Sequence, residues 1–117
     1  MNYLLIGTGG ILGSIVRYGI GKVISTHLNT RFPFGTFIIN ITGAIMLGIL
    51  TSAQINTNIY SFLGDGFLGA YTTFSTFMYE GFNLFKNNER LNAFVYILSS
   101  IIIGIIGFLI GIKIGFL

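Results

Sequence analysis

Residues 69–80 read GAYTTFSTFMYE, and how the chain accommodates them decides the fold, because the sequence around them is strongly apolar. They carry four aliphatic hydroxyls (Thr72, Thr73, Ser75, Thr76), a carboxylate (Glu80) and two phenylalanines three residues apart (Phe74, Phe77). Hydrocarbon solvates none of the polar groups, so each must find its partner in protein or water. Such chemistry inside a membrane-length segment marks a place where something polar binds or passes.

Working outward, the chain of 117 residues is 53% hydrophobic and 8% charged, where a soluble domain carries about 25% charged residues. Its mean hydropathy of +0.86 and 17 glycines agree with a membrane protein, in which glycine is frequent within helices. The absence of cysteine excludes disulfides, iron–sulfur clusters and thiol chemistry. A single histidine, His27, and the lack of clustered carboxylates point away from a metal-dependent or hydrolytic enzyme. The net charge of +3 comes from residues near segment ends, which fits anchoring at a membrane surface rather than nucleic-acid binding. The apolar N-terminal stretch has no basic region before it and continues past Arg17, so it is expected to be a first span rather than a cleaved signal.

A spanning helix needs about 20 apolar residues, and four such segments are expected, at 3–24, 34–53, 60–85 and 91–117. They make an all-α membrane protein with one four-helix unit over 1–117. Pro33 suits the start of the second helix, where its missing N–H costs nothing. In the third segment Asp65, Gly66, Gly69 and the hydroxyl run predict a break within 69–73, whose freed carbonyls can bind a cation; the alternative is a continuous helix softened by glycine. Gly9 and Gly13, and then Gly107, Gly111 and Gly115, recur at four-residue spacing, which lets helix backbones approach closely. These glycine faces suggest an oligomer.

Arg17 lies well inside the first span and either snorkels to the nearer surface or lines a water-filled vestibule that attracts anions. Thr36, Asn40 and Gly43 share one face of the second helix. Asn40 brings two N–H donors and one acceptor to mid-membrane, either for an ion or as glue between helices. Phe74 and Phe77 share a face with Thr73 and Thr76 on adjacent rows and Glu80 a turn further on; ring edges carry positive charge and can touch an anion weakly. Tyr96, Ser100 and Gly104 repeat every four residues in the last span, with Ser99 beside them. Their hydroxyls either extend a polar track or bond back to the preceding turn. Together these groups describe a donor-lined path for a small, strongly hydrated anion, which must be held firmly enough to shed water and weakly enough to leave.

The residues resemble the Fluc (CrcB) family of fluoride channels over nearly the whole chain. The marks are GGxxGxxxRY at Gly9, Gly10, Gly13, Arg17 and Tyr18; GTxxxNxxG at Gly35, Thr36, Asn40 and Gly43; and GxxGxxTTFSTF ending at Phe77, followed by Glu80. The resemblance implies an antiparallel, dual-topology homodimer of four-helix subunits in the cell membrane, with the third helix broken and two pores giving passive fluoride export and so resistance to fluoride toxicity. It implies that Phe74 and Phe77 offer ring edges to fluoride, that Asn40 donates to the ion, and that Arg17 makes the vestibule electropositive. Thr36, Tyr96 and Ser100 would line the polar track, with Thr76 and Glu80 beside it. Backbone carbonyls of Gly69 and Thr72 from both subunits would hold a structural sodium ion at the dimer centre. Gly104 departs from the expected pattern, which would place a further track serine there. Lys22, Arg31, Lys86 and Arg90 fall on one side and Lys113 on the other, so the positive-inside rule gives a single orientation with both termini outside, whereas the resemblance implies both orientations.

Two rivals belong to other classes. A small multidrug-type exporter has similar size but needs a carboxylate in its first helix, where this chain carries Arg17. A non-transporting assembly subunit would use its hydroxyls only for helix packing. No residue constellation supports an enzyme.

Overall fold

A computed structural model of the protein describes residues 2–28 and 32–117; among them there are helices and turns and no strand. Helix α1 (Tyr3–His27) begins at Asn2, whose side chain accepts the Leu5 N–H at 3.2 Å. Helix α2 (Phe34–Ser52) follows Pro33, which sits one position earlier than a first-turn proline and supplies the carbonyl that accepts the Phe37 N–H. A short helix α3 (Thr57–Tyr60) is capped by the Asn56 side chain and runs into a wider π-helical stretch (Ser61–Leu68) and then α4 (Gly69–Tyr71). After an extended residue at Thr72 (φ −81°, ψ 157°), α5 (Ser75–Lys86) resumes. The turn that follows it passes through Asn88, which adopts φ 61°, a left-handed conformation that asparagine tolerates, while the Glu89 N–H reaches back to the Leu84 carbonyl at 2.8 Å. Helix α6 (Arg90–Gly115) completes the chain.

Three helices, α1, α2 and α6, are long and apolar enough to cross a membrane. At 1.5 Å per residue the 26 residues of α6 reach about 39 Å, beyond the ~30 Å of hydrocarbon. These helices overlap the segments expected at 3–24, 34–53 and 91–117, with α1 running on to His27. The segment expected at 60–85 is instead two pieces, 57–71 and α5, with the interruption at 72–74. The break is therefore present, but Gly69 lies inside helix (φ −59°, ψ −35°). The hydroxyl residues interrupt the helix, while the glycines pack.

Where those glycines pack corrects one inference from the sequence. The glycine faces are used within the chain rather than left for an oligomer. A Cβ on Gly9 would stand 2.1 Å from the Phe62 carbonyl oxygen, and one on Gly13 would stand 2.1 Å from that of Phe67. Helix α1 thus lies backbone to backbone on the π-helical stretch. On the other side a Cβ on Gly111 would meet the Ile45 oxygen at 2.1 Å and one on Gly48 the Phe108 oxygen at 2.3 Å. Ile41 lies beside Gly104, Gly48 beside Gly111 and Ser52 beside Gly115, so α2 and α6 run parallel at a constant offset. Lipid gives helices no hydrophobic reason to associate, and close backbone packing of this kind supplies the dispersion attraction that does.

Two small apolar clusters fill the remaining interior. Ile39, Leu68 and Tyr71 pack between α2 and the 57–71 piece, and Phe77, Leu84, Ala93 and Tyr96 pack between α5 and α6. The Tyr71 hydroxyl is satisfied by Thr42 Oγ1 at 2.8 Å. Most other hydroxyls follow the common fate of membrane-helix serine and threonine: Thr8, Ser14, Thr26, Thr51, Ser52 and Ser99 each donate to a carbonyl on the preceding turn.

Candidate functional site

The break is held by one side chain from α2. Asn40 Nδ2 donates to the Thr73 carbonyl at 3.0 Å, and Asn40 Oδ1 accepts the Thr73 N–H at 3.0 Å. A carboxamide presents the same donor–acceptor pair as a peptide group, so it pairs with an interrupted backbone as a neighbouring strand would. Gly43, one turn along α2, makes room for this approach, because a Cβ there would stand 2.3 Å from Thr72 Cγ2. On the far side of the break Thr73 Oγ1 accepts the Thr76 N–H at 3.2 Å, capping α5 as an N-terminal threonine does.

Two open cavities flank this junction, and Thr73 lines both. The first, of about 470 Å³, brings together Arg17, Lys22, Thr36, Thr76 and Glu80. Its two cations outnumber its one carboxylate, so its potential is positive. Thr36 is buried and donates to Glu80 Oε1 at 2.5 Å, which gives the carboxylate a partner within the wall. The second cavity, of about 390 Å³, brings together Asn40, Gly69, Thr72, Phe74 and Phe77. The two rings lie 6.2 Å apart and tilted by 42°. They differ sharply in cover, since Phe77 is 8% exposed and Phe74 is 74% exposed.

Tyr96 and Ser100 do not line either cavity. Tyr96 is wholly buried, with its ring against Phe77 at 5.1 Å and Phe32 at 5.4 Å. The Tyr96 hydroxyl makes no well-formed hydrogen bond among the described residues but has the Thr36 side chain as its polar neighbour. Ser100 Oγ is buried without a hydrogen-bond partner among the described residues, although buried polar groups are nearly always paired. Gly104 lies a turn further on, and its nearest neighbour, Ile41 Cδ1, would stand 3.9 Å from an added Cβ; packing there does not demand glycine.

The sequence reading therefore finds its residues grouped in three sets. Arg17, Thr36, Thr76 and Glu80 line the first cavity; Asn40, Phe74, Phe77, Gly69 and Thr72 line the second; Tyr96 and Ser100 line neither. The sequence did not reveal the pairing of Asn40 with Thr73, the cap made by Thr73 or the contact of Phe32 with Tyr96. The adjacency of a helix-breaking threonine run to a lone mid-span asparagine was the available signal for the first. Arg31, counted with the basic residues of one side, lies outside the described residues.

Comparison with known proteins gives a consistent result. Residues 4–112 match the family model described as CrcB-like protein, Camphor Resistance (CrcB). The chain is 66% identical over 111 residues, covering 95% of each chain, to a Clostridium acetobutylicum protein named Fluoride-specific ion channel FluC 2. It is 42% identical over 116 residues, 98% of each, to Fluoride-specific ion channel FluC 1 of Listeria monocytogenes serotype 4b. It is 41% identical over 117 residues to Fluoride-specific ion channel FluC of Dehalococcoides mccartyi, covering 96% of this chain and 90% of that one.

Proposed function

The chain belongs to the CrcB-like family, and on that premise we propose that it is a fluoride-selective channel through which the anion leaves the cytoplasm passively. It is a multi-pass membrane protein. The relatives' printed names describe ion channels rather than enzymes. The observation that carries the reading is the meeting of a cationic cavity and a ring-lined cavity at Thr73.

Each set of residues has a distinct part in such a path. Arg17, with Lys22, raises the local anion concentration at the mouth. The hydroxyls of Thr36 and Thr76 and the second Nδ2 proton of Asn40, the first being spent on Thr73, replace water around the ion. Phe74 and Phe77 offer positively charged ring edges without a fixed charge that would trap it. Tyr96, whose buried hydroxyl neighbours Thr36, and Ser100, whose buried hydroxyl has no partner among the described residues, continue the track. Chloride, being larger and less strongly hydrated, gains less from a narrow donor-rich path.

The working unit in this reading is an antiparallel homodimer with two pores, in which all four segments of each copy, including the broken third, cross the cell membrane. The exposure of Phe74 supports it, since a ring meant to touch an ion is left largely uncovered by the described residues of its own chain. A sodium ion at the dimer centre also fits the residues present. Helix α4 stops at Tyr71, and no hydrogen bond reaches the Gly69 or Thr72 carbonyl among the described residues; such freed carbonyls suit a cation. One copy supplies two oxygens, and a second copy completes four. The ion would hold the two copies together.

Hydrogen fluoride crosses lipid as a neutral acid and ionises in a less acidic cytoplasm, and a selective leak returns the anion down its gradient, which confers resistance to fluoride. Fluoride efflux from liposomes holding the purified protein, with a chloride-loaded control, tests the reading. Rapid loss of fluoride alone is expected; retention of both ions by folded protein would overturn it and favour the packing-only subunit.

A further inference from the structure

The helix does not simply fail at the break, because two side chains take specific hydrogens away from it. In an unbroken α-helix the Thr73 N–H bonds to the Gly69 carbonyl and the Thr76 N–H to the Thr72 carbonyl, four residues back in each case. Here Asn40 Oδ1 accepts the Thr73 N–H at 3.0 Å, and Thr73 Oγ1 accepts the Thr76 N–H at 3.2 Å. The two diverted hydrogens are those that would have closed the two carbonyls assigned above to the central cation.

We infer that Asn40 and Thr73 are positioning residues for the cation site, each freeing one carbonyl, so that a single asparagine amide serves both the anion path and the cation site. The inference rests on the sodium reading above and adds to it the groups that create the site. Asn40 faces the ring-lined cavity while its other edge is committed to Thr73. A change of its rotamer in the pore is therefore also a change in the number of free carbonyls at the break. Thr73 has the complementary duty, with its backbone held by Asn40 and its hydroxyl holding α5.

The test is the sodium concentration that half-maximally stabilises the purified dimer against heat, with N-methylglucamine replacing sodium at constant ionic strength. Thr73→Val removes the hydroxyl, returns the Thr76 N–H to the Thr72 carbonyl and raises the sodium midpoint about tenfold, the worth of one hydrogen bond to an otherwise free group. Thr73→Ser keeps the hydroxyl and holds the midpoint at the wild-type value. Asn40→Leu raises it in the same way through Gly69. An unchanged midpoint in folded Thr73→Val overturns the inference while leaving the sodium reading intact. A wild-type dimer that conducts fluoride but shows no sodium response overturns both the sodium reading and the inference. Amide hydrogen exchange of the wild type gives an independent reading should a variant not fold: the Thr73 and Thr76 amides exchange more slowly than those of Phe74 and Ser75, and equal rates at all four overturn the inference.

Discussion

Replacing Gly111 by alanine puts one methyl group where α6 touches α2. Its carbon would lie 2.1 Å from the Ile45 oxygen and 3.1 Å from Gly48 Cα, and neither is the movable end of a side chain. To restore an ordinary contact of about 3.4 Å the helices must part locally by about 1.3 Å, and a radial gap near 1 Å forfeits a quarter to a half of each dispersion contact around it. Overpacking of this kind costs about 1–3 kcal/mol. Gly19→Ala is the control, since nothing lies within 4 Å of its added Cβ; better helix propensity makes that change neutral or stabilising by up to about 1 kcal/mol. Reversible unfolding in detergent measures both. Fluoride efflux from liposomes should fall for Gly111→Ala, because α6 carries Tyr96 and Ser100 and α2 carries Thr36 and Asn40. Equal stability of the two variants would refute the claim that backbone contact fixes these helices.

The other predictions concern the site and its assembly. Phe74→Ile and Phe77→Ile should both reduce fluoride efflux sharply, but only Phe77→Ile should also lower the unfolding temperature, since Phe77 is buried against Tyr96 and Phe74 is exposed; undiminished flux in either removes that ring from the path. Arg17→Ala should slow efflux most at low salt and least near 1 M, where screening shrinks from about 30 Å to about 3 Å, and a deficit independent of salt would assign Arg17 a contact role instead. Thr36→Val should lower flux and Thr36→Ser should restore it, because the hydroxyl donates to Glu80; full flux in Thr36→Val would place that pair outside the path. The chain has no native cysteine, so Asn87→Cys, at the turn after α5, should react with an impermeant maleimide from each side of the membrane in about half of the molecules, and labelling from one side only would refute dual insertion.

Much of this was legible because membrane helices are long and uniform. Hydropathy alone located α1, α2 and α6, and the hydroxyl run around Thr72 and Thr73 located the interruption. The π-helical stretch was not legible, since its wider turn is settled where Gly9, Gly13 and Gly66 meet across two segments, and no local pattern specifies that. Spacing put Asn40 on one face of α2 with Thr36 and Gly43 but left its partner open; the choice of Thr73 depends on a contact 33 residues away in sequence. Tyr96 was read onto a track with Thr36, and its hydroxyl does neighbour the Thr36 side chain; what spacing could not show is that Phe32 and Phe77 close over its ring. The glycine repeats were read correctly as packing surfaces, but they meet backbone of their own chain and so are not themselves a sign of the oligomer they were taken to suggest.

The two halves of the interrupted segment are fastened in different ways. The 57–71 piece is laid on α1 through backbone atoms at Gly9 and Gly13, and such a contact yields only if the helices separate. Helix α5 rests on α6 through side chains, Phe77 on Tyr96 and Gly81 beside Ile97, which can shift by turning about their own bonds. Mechanically, the break is a joint between a stiff arm and a compliant one. Phe74 stands at the joint and Phe77 on the compliant arm, so a small tilt of α5 changes the spacing of the two rings before it disturbs anything on the α1 side.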